Sequence, residues 1–414
     1  MPGLRWIFPV LLAFLFVTSS TATVAAPDGD GRDRSGRSGD RDGGRDRDRD
    51  DRDRDDRDDD DHDDDHDDDD DEMEDLIRHG SRLFRRETFG GNGRTCQSCH
   101  TSSTGTINPL QISLLPVDDP IFQHDAADTL GGSTFNRVQQ NATFLVNVAL
   151  PENIRIVGSD DRSVLLPRGV PTIHNTAALD PVLMWDGRAP TLQIQAFEAW
   201  LGHSQITELP TDYDLDAVAA FQQTQVTIPQ LRKFLEEGRT PKLPRPRTAQ
   251  QRRGMLFFTD DNPANGNPIK GRCVHCHGGP MLNATTPGTE MIFGIPTGTR
   301  FISAFVSEFE LGGGTPITYE VTNPDSSVTE ITTTDPGRML ITGDPIDASA
   351  FKIPTIWGFR NTAPYFHNNS AANIDELMDH YQEYFNFVEN VLGIQGFGMT
   401  DADKEDIKAY LRLF

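Results

Sequence analysis

The sequence predicts a mainly α-helical protein built from two similar domains, with long loops and one small β-hairpin. Three observations favour this fold class. The five-residue pattern C-x-x-C-H occurs twice, at residues 96–100 and 273–277. Apolar residues recur at helical spacing before the first copy and again near the C-terminus. One stretch, residues 317–332, alternates in the manner of two short strands around Asn323-Pro324-Asp325.

The two copies of the pattern predict covalent haem. They read CQSCH and CVHCH, and this spacing is typical of c-type haem attachment. One helical turn brings both thiols of a motif to the vinyl groups of a porphyrin, and the adjacent histidine becomes an axial ligand of the iron. The predicted thioethers form at Cys96, Cys99, Cys273 and Cys276, and the predicted axial ligands are His100 and His277. All four cysteines are used, so we expect two haems c and two cytochrome c-like haem domains.

The chain of 414 residues divides into four predicted parts. Residues 1–26 are expected to be a signal peptide, and residues 27–72 a disordered tether. The N-terminal haem domain is expected to cover residues 73–240 and the C-terminal haem domain residues 250–414. The charged, proline-dotted stretch from Leu231 to Arg253 is interpreted as the linker between them.

The first residues predict export. Arg5 precedes an apolar run from Trp6 to Val17, and small residues up to Ala26 follow. This run is too short to span a bilayer comfortably, so cleavage is favoured over a retained membrane anchor. Covalent haem attachment takes place outside the bacterial cytoplasm, in agreement with this signal. The mature protein is expected to be periplasmic or otherwise secreted, without a stable membrane span.

An acidic tract follows the predicted signal peptide. Residues 28–71 contain 10 Arg against 24 Asp, a difference of −14 in a chain whose net charge is −26. A segment with no apolar side chain to bury cannot offset its ordering entropy, so disorder is expected here. Order is predicted to begin near Glu72 with a helix that leads into the first motif. No basic surface is present, and nucleic acid is therefore not an expected partner.

Between the motifs the expected structure is mostly irregular. Residues 101–165 are interpreted as a long, irregular insertion over the first haem. Arg94 is placed to contact a haem propionate, with an ordinary surface arginine as the alternative. Beyond the second motif, a surface hairpin is expected at residues 317–332. A helix is predicted from Ile374 to Phe387, and Thr400 with Asp403 is predicted to cap a last helix.

Several motifs resemble the bacterial dihaem cytochrome c peroxidase family, which includes the methylamine-utilisation protein MauG. They are P-T-x-x-N from Pro171, W-D-G-R from Trp185, L-x-x-Q-A from Leu192, F-K-x-P-T from Phe351 and T-A-P from Thr362. Together with both haem motifs, the resemblance runs from about Glu74 to Phe414. It implies peroxide chemistry at the first haem, where the sixth iron position is open or opens on activation.

The resemblance implies that Gln195 and a glutamate ten residues later line that site. This chain has Gln205 at the second position. Cleavage of an O–O bond needs a group that takes a proton from one peroxide oxygen and delivers it to the other, which glutamine cannot do. His203 and Glu198 are candidate substitutes, and each has an ordinary helix-surface position as its alternative.

The second haem needs an axial ligand from the helix that carries Met378, His380 and Tyr381. Helical geometry alone leaves the choice open, because one residue rotates the side chain by about 100°. In the family, this ligand lies seventeen residues after the proline of T-A-P, which implies Tyr381. MauG has tyrosine at this position, whereas most peroxidases of the family have methionine there. His380 as the ligand and Tyr381 as core packing stay open alternatives.

The resemblance also implies two features between the domains. Trp185 matches the tryptophan that lies between the two haems, where it serves as packing and as an electron bridge. Asp186 and Arg188 are expected to form a structural ion pair or a propionate contact. Asn175, with the carbonyl groups of Thr362 and Pro364, matches an interdomain calcium site, so one calcium ion is expected.

We therefore expect an exported dihaem oxidoreductase that reduces hydrogen peroxide, or another small oxidant, at the N-terminal haem. Electrons would come from a small donor protein, a cytochrome or a cupredoxin, through the C-terminal haem. Two alternatives stay open: a non-catalytic electron-transfer cytochrome, and a MauG-like enzyme that oxidises a protein or organic substrate. A homodimer and a monomer are both compatible with the sequence.

Overall fold

The computed structural model describes residues 65–259 and 272–414, which form twelve α-helices, one π-helical turn, short 3₁₀ turns and small sheets. The predicted signal peptide and most of the predicted tether lie outside the described residues. The helices are α1 Asp65–Arg86, α2 Cys96–Cys99, α3 Pro109–Ser113, α4 Asn136–Asn141, α5 Leu192–Ala199, α6 Asp212–Gln223, α7 Pro229–Glu237, α8 Ala249–Met255, α9 Pro287–Phe293, α10 Met339–Thr342, α11 Ile374–Asn390 and α12 Asp401–Leu411.

Helix α1 starts earlier than predicted, at Asp65 rather than near Glu72. The end of the acidic tract therefore forms the first turns of this helix. Acidic side chains are favoured at a helix N-terminus because the exposed backbone N–H groups give that end a partial positive charge. Arg85 and Arg86 in the last turn complement the opposite end.

Each half of the molecule contains a pair of helices that cross at a glycine. Helix α1 packs on α6, and a Cβ atom at Gly80 would lie 1.8 Å from the carbonyl oxygen of Ala217. Helix α8 packs on α12, and a Cβ atom at Gly254 would lie 2.0 Å from the carbonyl oxygen of Asp406. No side chain fits at either crossing, so glycine is required for both helix pairs.

The described strands form three small antiparallel sheets. The strands are β1 Thr143–Ala149, β2 Ile154–Ile156, β3 Ser163–Gly169, β4 Phe301–Ile302, β5 Ile317–Thr322, β6 Val328–Thr333 and β7 Phe351–Lys352. Strands β1 and β3 pair with Thr143 opposite Gly169, β2 adds to the β5–β6 hairpin, and β4 pairs with β7.

One sequence expectation about these regions is wrong. Residues 101–165 are not an irregular insertion, because they contain α3, α4, β1, β2 and the start of β3. The predicted hairpin is present as β5 and β6 with an exposed turn, but it is not isolated, because β2 pairs with β5 and its inner face is buried. Tyr319, Val321 and Ile331 are buried in a core cluster with residues of β1, β2 and β3. The third strand and the packing partners come from a distant part of the chain, which local alternation cannot reveal.

The predicted linker is shorter than expected. Helix α7 occupies the first part of the stretch from Leu231 to Arg253, and α8 begins at Ala249. Leu231 is fully buried in the same core cluster as residues of α11 and α12. Between these two helices, residues 238–248 lack regular structure. Within residues 65–259 and 272–414, no helix has the length and apolar character needed to cross a membrane.

Candidate functional site

Each C-x-x-C-H motif lies in the wall of its own cavity. Cys96, Cys99 and His100 line the first, called the N-terminal cavity. Cys273, Cys276 and His277 line the second, called the C-terminal cavity. All four thiols are unpaired and only partly exposed, and burial raises the pKa of each to about 12. Two neutral thiols facing each cavity suit thioether attachment, so the thiols fit a haem c.

The two motif histidines share one hydrogen-bond arrangement. His100 Nδ1 lies 3.0 Å from the carbonyl oxygen of Gly105, and His277 Nδ1 lies 2.9 Å from that of Leu282, in both cases five residues further on. A carbonyl can only accept, so Nδ1 carries the proton and Nε2 keeps a free lone pair. Burial lowers the pKa of His100 to about 4 and also lowers the pKa of His277. A neutral imidazole with a fixed tautomer is the form that binds iron through Nε2.

One face of α5 and of the turn after it forms a wall of the N-terminal cavity. The helix begins after Thr191, whose hydroxyl oxygen accepts the N–H of Ile194 at 3.2 Å. A π-helical turn, Trp200–Ser204, follows the helix and extends the same face. The lining residues of this segment are Gln195, Ala196, Ala199, Trp200, His203 and Ser204.

The structure separates the candidates for proton transfer. Gln195 and His203 line the N-terminal cavity, whereas Gln205 and Glu198 are exposed and do not. Gln205 has a left-handed backbone, with φ of 52°, and its side-chain oxygen accepts from Asn92 Nδ2 at 3.1 Å. The position that holds the glutamate in relatives therefore points away from the cavity in this chain.

The N-terminal cavity is rich in cations and lacks acids. None of its lining side chains in the described ranges is a carboxylate, whereas Arg94, Arg168, Arg188 and Lys352 all line it. His203 and the motif residue His100 are its two imidazoles. His203 Nδ1 hydrogen-bonds to Asp125, which is buried behind it outside the cavity wall.

Arg94 does not have the role expected of it. Its side chain is only 1% exposed, and all five of its N–H donors are occupied by protein oxygens. No donor is left for a haem propionate. The acceptors are the carbonyl oxygens of Pro120 at 3.0 Å, Ile121 at 2.8 Å, Gln123 at 2.5 Å and His203 at 3.0 Å, together with the Asp125 carboxylate.

Trp185 lies in the wall that separates the two cavities. It lines both of them, as does Lys352. The indole N–H donates to the carbonyl oxygen of Gly169 at 2.8 Å, and the carbonyl oxygen of Trp185 accepts the backbone N–H of Lys352 at the same distance. These bonds tie the tryptophan to β3 and β7, so the structure holds its ring at the position between the sites.

A buried ion-pair network lies beside this wall. Asp186 is fully buried and accepts from Arg168 and from Arg188 at 3.0 Å. Arg168 also donates to both oxygens of Asp335, at 2.8 and 2.9 Å. Burial alone would raise the pKa of both carboxyl groups, but the Arg168 charge outweighs it and their pKa values lie below the ordinary value. Asp186 and Arg188 therefore form the structural ion pair that was one of the two alternatives.

Helix α11 supplies one wall of the C-terminal cavity. It begins after Asn373, whose side-chain oxygen accepts the N–H groups of Asp375 and Glu376. Met378 and Tyr381 line the cavity. His380 does not, because its Nε2 donates to the carbonyl oxygen of Ala304 at 2.7 Å. This arrangement favours Tyr381 over His380 as an axial ligand and leaves Met378 as a second residue on the correct face.

Of the three residues expected to bind calcium, Asn175 fits poorly through its side chain. Asn175 Oδ1 accepts the backbone N–H groups of Thr227 at 2.8 Å and Ile228 at 3.2 Å, which uses both of its lone pairs. Thr362 and Pro364 line the C-terminal cavity. Because a calcium site needs several free oxygen ligands, the side chain of Asn175 acts here as a link to the start of α7.

Sequence reasoning missed Asp125, Asp335 and the position of Lys352. Asp125 is 78 residues from His203, and Asp335 is 167 residues from Arg168. No local pattern connects residues so far apart, and the fold alone brings them together.

Comparisons with known proteins identify relatives over most of the chain. No family model matches the sequence. "Cytochrome-c peroxidase IdrP2" of Denitromonas iodatirespirans is 24% identical over 357 residues, which cover 81% of this chain and 80% of that protein. "Cytochrome c peroxidase Ccp" of Escherichia coli strain K12 is 26% identical over 275 residues, which cover 59% of this chain and 47% of that protein.

A comparison with solved structures also covers most of the chain. A MauG-like protein associated with microbial copper homeostasis is 19% identical, with 82% of this chain and 89% of that chain covered and a TM-score of 0.47. The chain spans about half the length of the Escherichia coli relative. The resemblance to bacterial cytochrome c peroxidases that the sequence predicts is confirmed by these relatives, whose names are those of oxidoreductases.

Proposed function

We propose that this protein is an exported dihaem c-type enzyme that reduces hydrogen peroxide in the N-terminal cavity. The observation that carries the proposal is that His203 and Gln195 line this cavity from one helical segment, beside the first C-x-x-C-H motif, and that no carboxylate of the described residues lines it. When bound at the two motifs, the haems supply the iron that binds peroxide and the one-electron chemistry.

The protein residues supply orientation and proton transfer. With a haem held at the first motif, Gln195 would donate a hydrogen bond to peroxide through its amide group. His203 Nε2 would accept a proton from one peroxide oxygen and return it to the other, which leaves as water. The reaction consumes two electrons and two protons for each peroxide and yields two waters. Arg94 and Arg168 donate to protein oxygens, so Arg188 and Lys352, which pair with Asp186 and Asp180, are the proposed partners for the carboxylates of a haem.

Electrons reach the N-terminal cavity through the C-terminal site. Trp185, which lines both cavities, is the proposed bridge. The proposed electron donor is a small cytochrome or a cupredoxin, and the name cytochrome c peroxidase of the relatives supports a cytochrome. The apolar run at the N-terminus supports export to the periplasm.

Steady-state kinetics and paramagnetic resonance test this proposal together. The ferric or half-reduced protein should give one high-spin signal, and peroxide should oxidise a reduced small cytochrome with a rate proportional to enzyme concentration. Two low-spin signals in every redox state, together with no peroxide turnover, would exclude the enzyme and favour an electron-transfer cytochrome.

A second function is favoured by one residue. Tyr381, which faces the C-terminal cavity, is the residue that MauG has in place of methionine. As a tyrosinate ligand it would stabilise ferric iron and lower the reduction potential. A protein or organic substrate oxidised at the surface would then replace the electron donor.

Substitution of Tyr381 tests the second axial ligand. Tyr381→Phe should change the absorption and resonance spectra of the low-spin haem, because the phenol oxygen is lost as a ligand. His380→Phe is the matched control and should leave these spectra unchanged, since His380 bonds to Ala304. The assignment would be wrong if only His380→Phe, or only Met378→Leu, altered the low-spin spectrum.

A further inference from the structure

We infer that Asp125 is a positioning residue that fixes the His203 imidazole, with its Nδ1–H bound to the carboxylate and its Nε2 lone pair open to the N-terminal cavity. The inference rests on the proposed peroxide reduction and adds the residue that makes His203 suitable for it. The pair stands in for the missing glutamate of relatives.

The carboxylate of this pair is buried, whereas the imidazole reaches the cavity. His203 Nδ1 hydrogen-bonds to Asp125 Oδ2. Asp125 is 1% exposed and lies on the 3₁₀ turn His124–Ala126, whereas the His203 side chain is 32% exposed and lines the cavity. A carboxylate accepts hydrogen bonds, so the imidazole must donate from Nδ1. Nε2 makes no hydrogen bond within the part of the chain that the structure describes.

Neighbouring side chains hold both Asp125 and the backbone of His203 in place. Arg94 Nη1 donates to Asp125 Oδ1 and also to the carbonyl oxygen of His203 at 3.0 Å. Asn92 Nδ2 donates to that carbonyl oxygen at 2.9 Å. Arg137 donates to the carbonyl oxygen of Asp125 at 2.9 Å from the other side. The backbone and the side chain of His203 are therefore fixed relative to the carboxylate.

The electrostatics favour a charged Asp125. Burial alone would raise the pKa of its carboxyl group, but the hydrogen bond from His203 and the nearby Arg94 charge outweigh burial and lower the pKa. When Nε2 accepts a proton from peroxide, the imidazolium lies directly against this carboxylate and is stabilised. A free imidazole would instead divide between two tautomers, and one of them presents an N–H to the peroxide and cannot accept its proton.

Asp125→Asn is the direct test, with Asp118→Asn as the matched control from an exposed position in the same loop. The kcat for peroxide reduction should fall by about 10- to 100-fold in Asp125→Asn, with the haem content and the KM for the electron donor unchanged. Asp118→Asn should behave as the unaltered protein. The fall in kcat should be larger in His203→Ala than in Asp125→Asn. His203→Ala removes the base itself, whereas Asp125→Asn removes only its positioning.

Cyanide binding gives a readout that is independent of turnover. Hydrogen cyanide must lose its proton as it binds ferric iron, and His203 Nε2 is the acceptor in the cavity. The association rate, followed by absorbance, should fall by about the same 10- to 100-fold factor in Asp125→Asn. If the Asn variant does not accumulate, Asp125→Glu, which displaces the charge, should also slow cyanide association.

Different results would contradict the role of Asp125 and the proposed peroxide reduction. If His203→Ala loses peroxide turnover while Asp125→Asn and Asp125→Glu keep normal turnover and cyanide association, the positioning role is wrong and the proposed function stands. If the unaltered protein shows no peroxide turnover, the proposed function fails. Cyanide association then still decides whether Asp125 orients His203.

Discussion

Replacement of His203 by alanine is expected to lower the kcat for peroxide reduction by about 10²- to 10⁴-fold, the range that general acid–base catalysis contributes. The reason is that no side chain that lines the N-terminal cavity in the described ranges could take over proton transfer. The lining has four cations and no carboxylate, and the proposed role of His100 as an iron ligand occupies its Nε2. The measurement is steady-state peroxide reduction with a reduced cytochrome or dye.

Gln205→Ala is the control for this result. Gln205 occupies the position of the family's glutamate, yet it is exposed and bonds to Asn92. Its replacement should leave kcat unchanged. A large loss in Gln205→Ala with normal turnover in His203→Ala would assign proton transfer to the family position and contradict the site described above.

Replacement of Arg168 by methionine is expected to lower the free energy of unfolding by about 3–5 kcal/mol. The side chain is buried and pairs with both Asp186 and Asp335, and it also lies in the wall of the N-terminal cavity. Without the guanidinium, Asp335 loses its bidentate partner and Asp186 retains only Arg188. Denaturant unfolding of the haem-loaded protein at pH 7 measures the loss.

Arg155→Met is the matched control, because Arg155 pairs with Glu320 from a side chain that is 67% exposed. Exposed pairs contribute about 0–1 kcal/mol, so its loss should be small. Equal destabilisation by both variants would show that burial of the Arg168 network has no special energetic role.

The pH dependence of the Arg168 effect has a defined sign. In the unaltered protein, Arg168 holds the pKa values of Asp186 and Asp335 below the ordinary value, so both groups stay ionised and its stability does not change through them between pH 7 and the unfolded-state pKa of about 3.9. Their contribution is lost only as the pH falls through their lowered folded-state pKa values. In Arg168→Met, burial dominates and raises these pKa values, so the stability difference between variant and unaltered protein should shrink as the pH falls from 7 towards 4. A difference that is constant with pH would contradict this assignment.

The sequence predicted those features that depend on local pattern. The last helix was expected from Thr400 and Asp403, and α12 has this capping box at its start. The predicted helix from Ile374 is α11, which continues three residues beyond Phe387 to Asn390. Both helices have an apolar stripe and a capping residue within a few positions, so the signals are complete in one short stretch.

Features that join distant segments could not be predicted. Strand β2 is three residues long and pairs with β5, more than 160 positions later. Asp125, which contacts His203, lies on a 3₁₀ turn in a region whose sequence shows no helical or strand periodicity. The choice between His203 and Glu198 depended on which side of one helix faces the cavity, and on a π-helical turn that sequence patterns do not reveal.

The most direct test of the whole account is the intact mass of the purified, exported protein, measured with its absorption spectrum under denaturing conditions. The account predicts that the mass exceeds that of the processed polypeptide by two haem groups. Replacement of both Cys96 and Cys99 by alanine should lower this excess to one haem group. A colourless protein whose mass equals that of the polypeptide alone would contradict it.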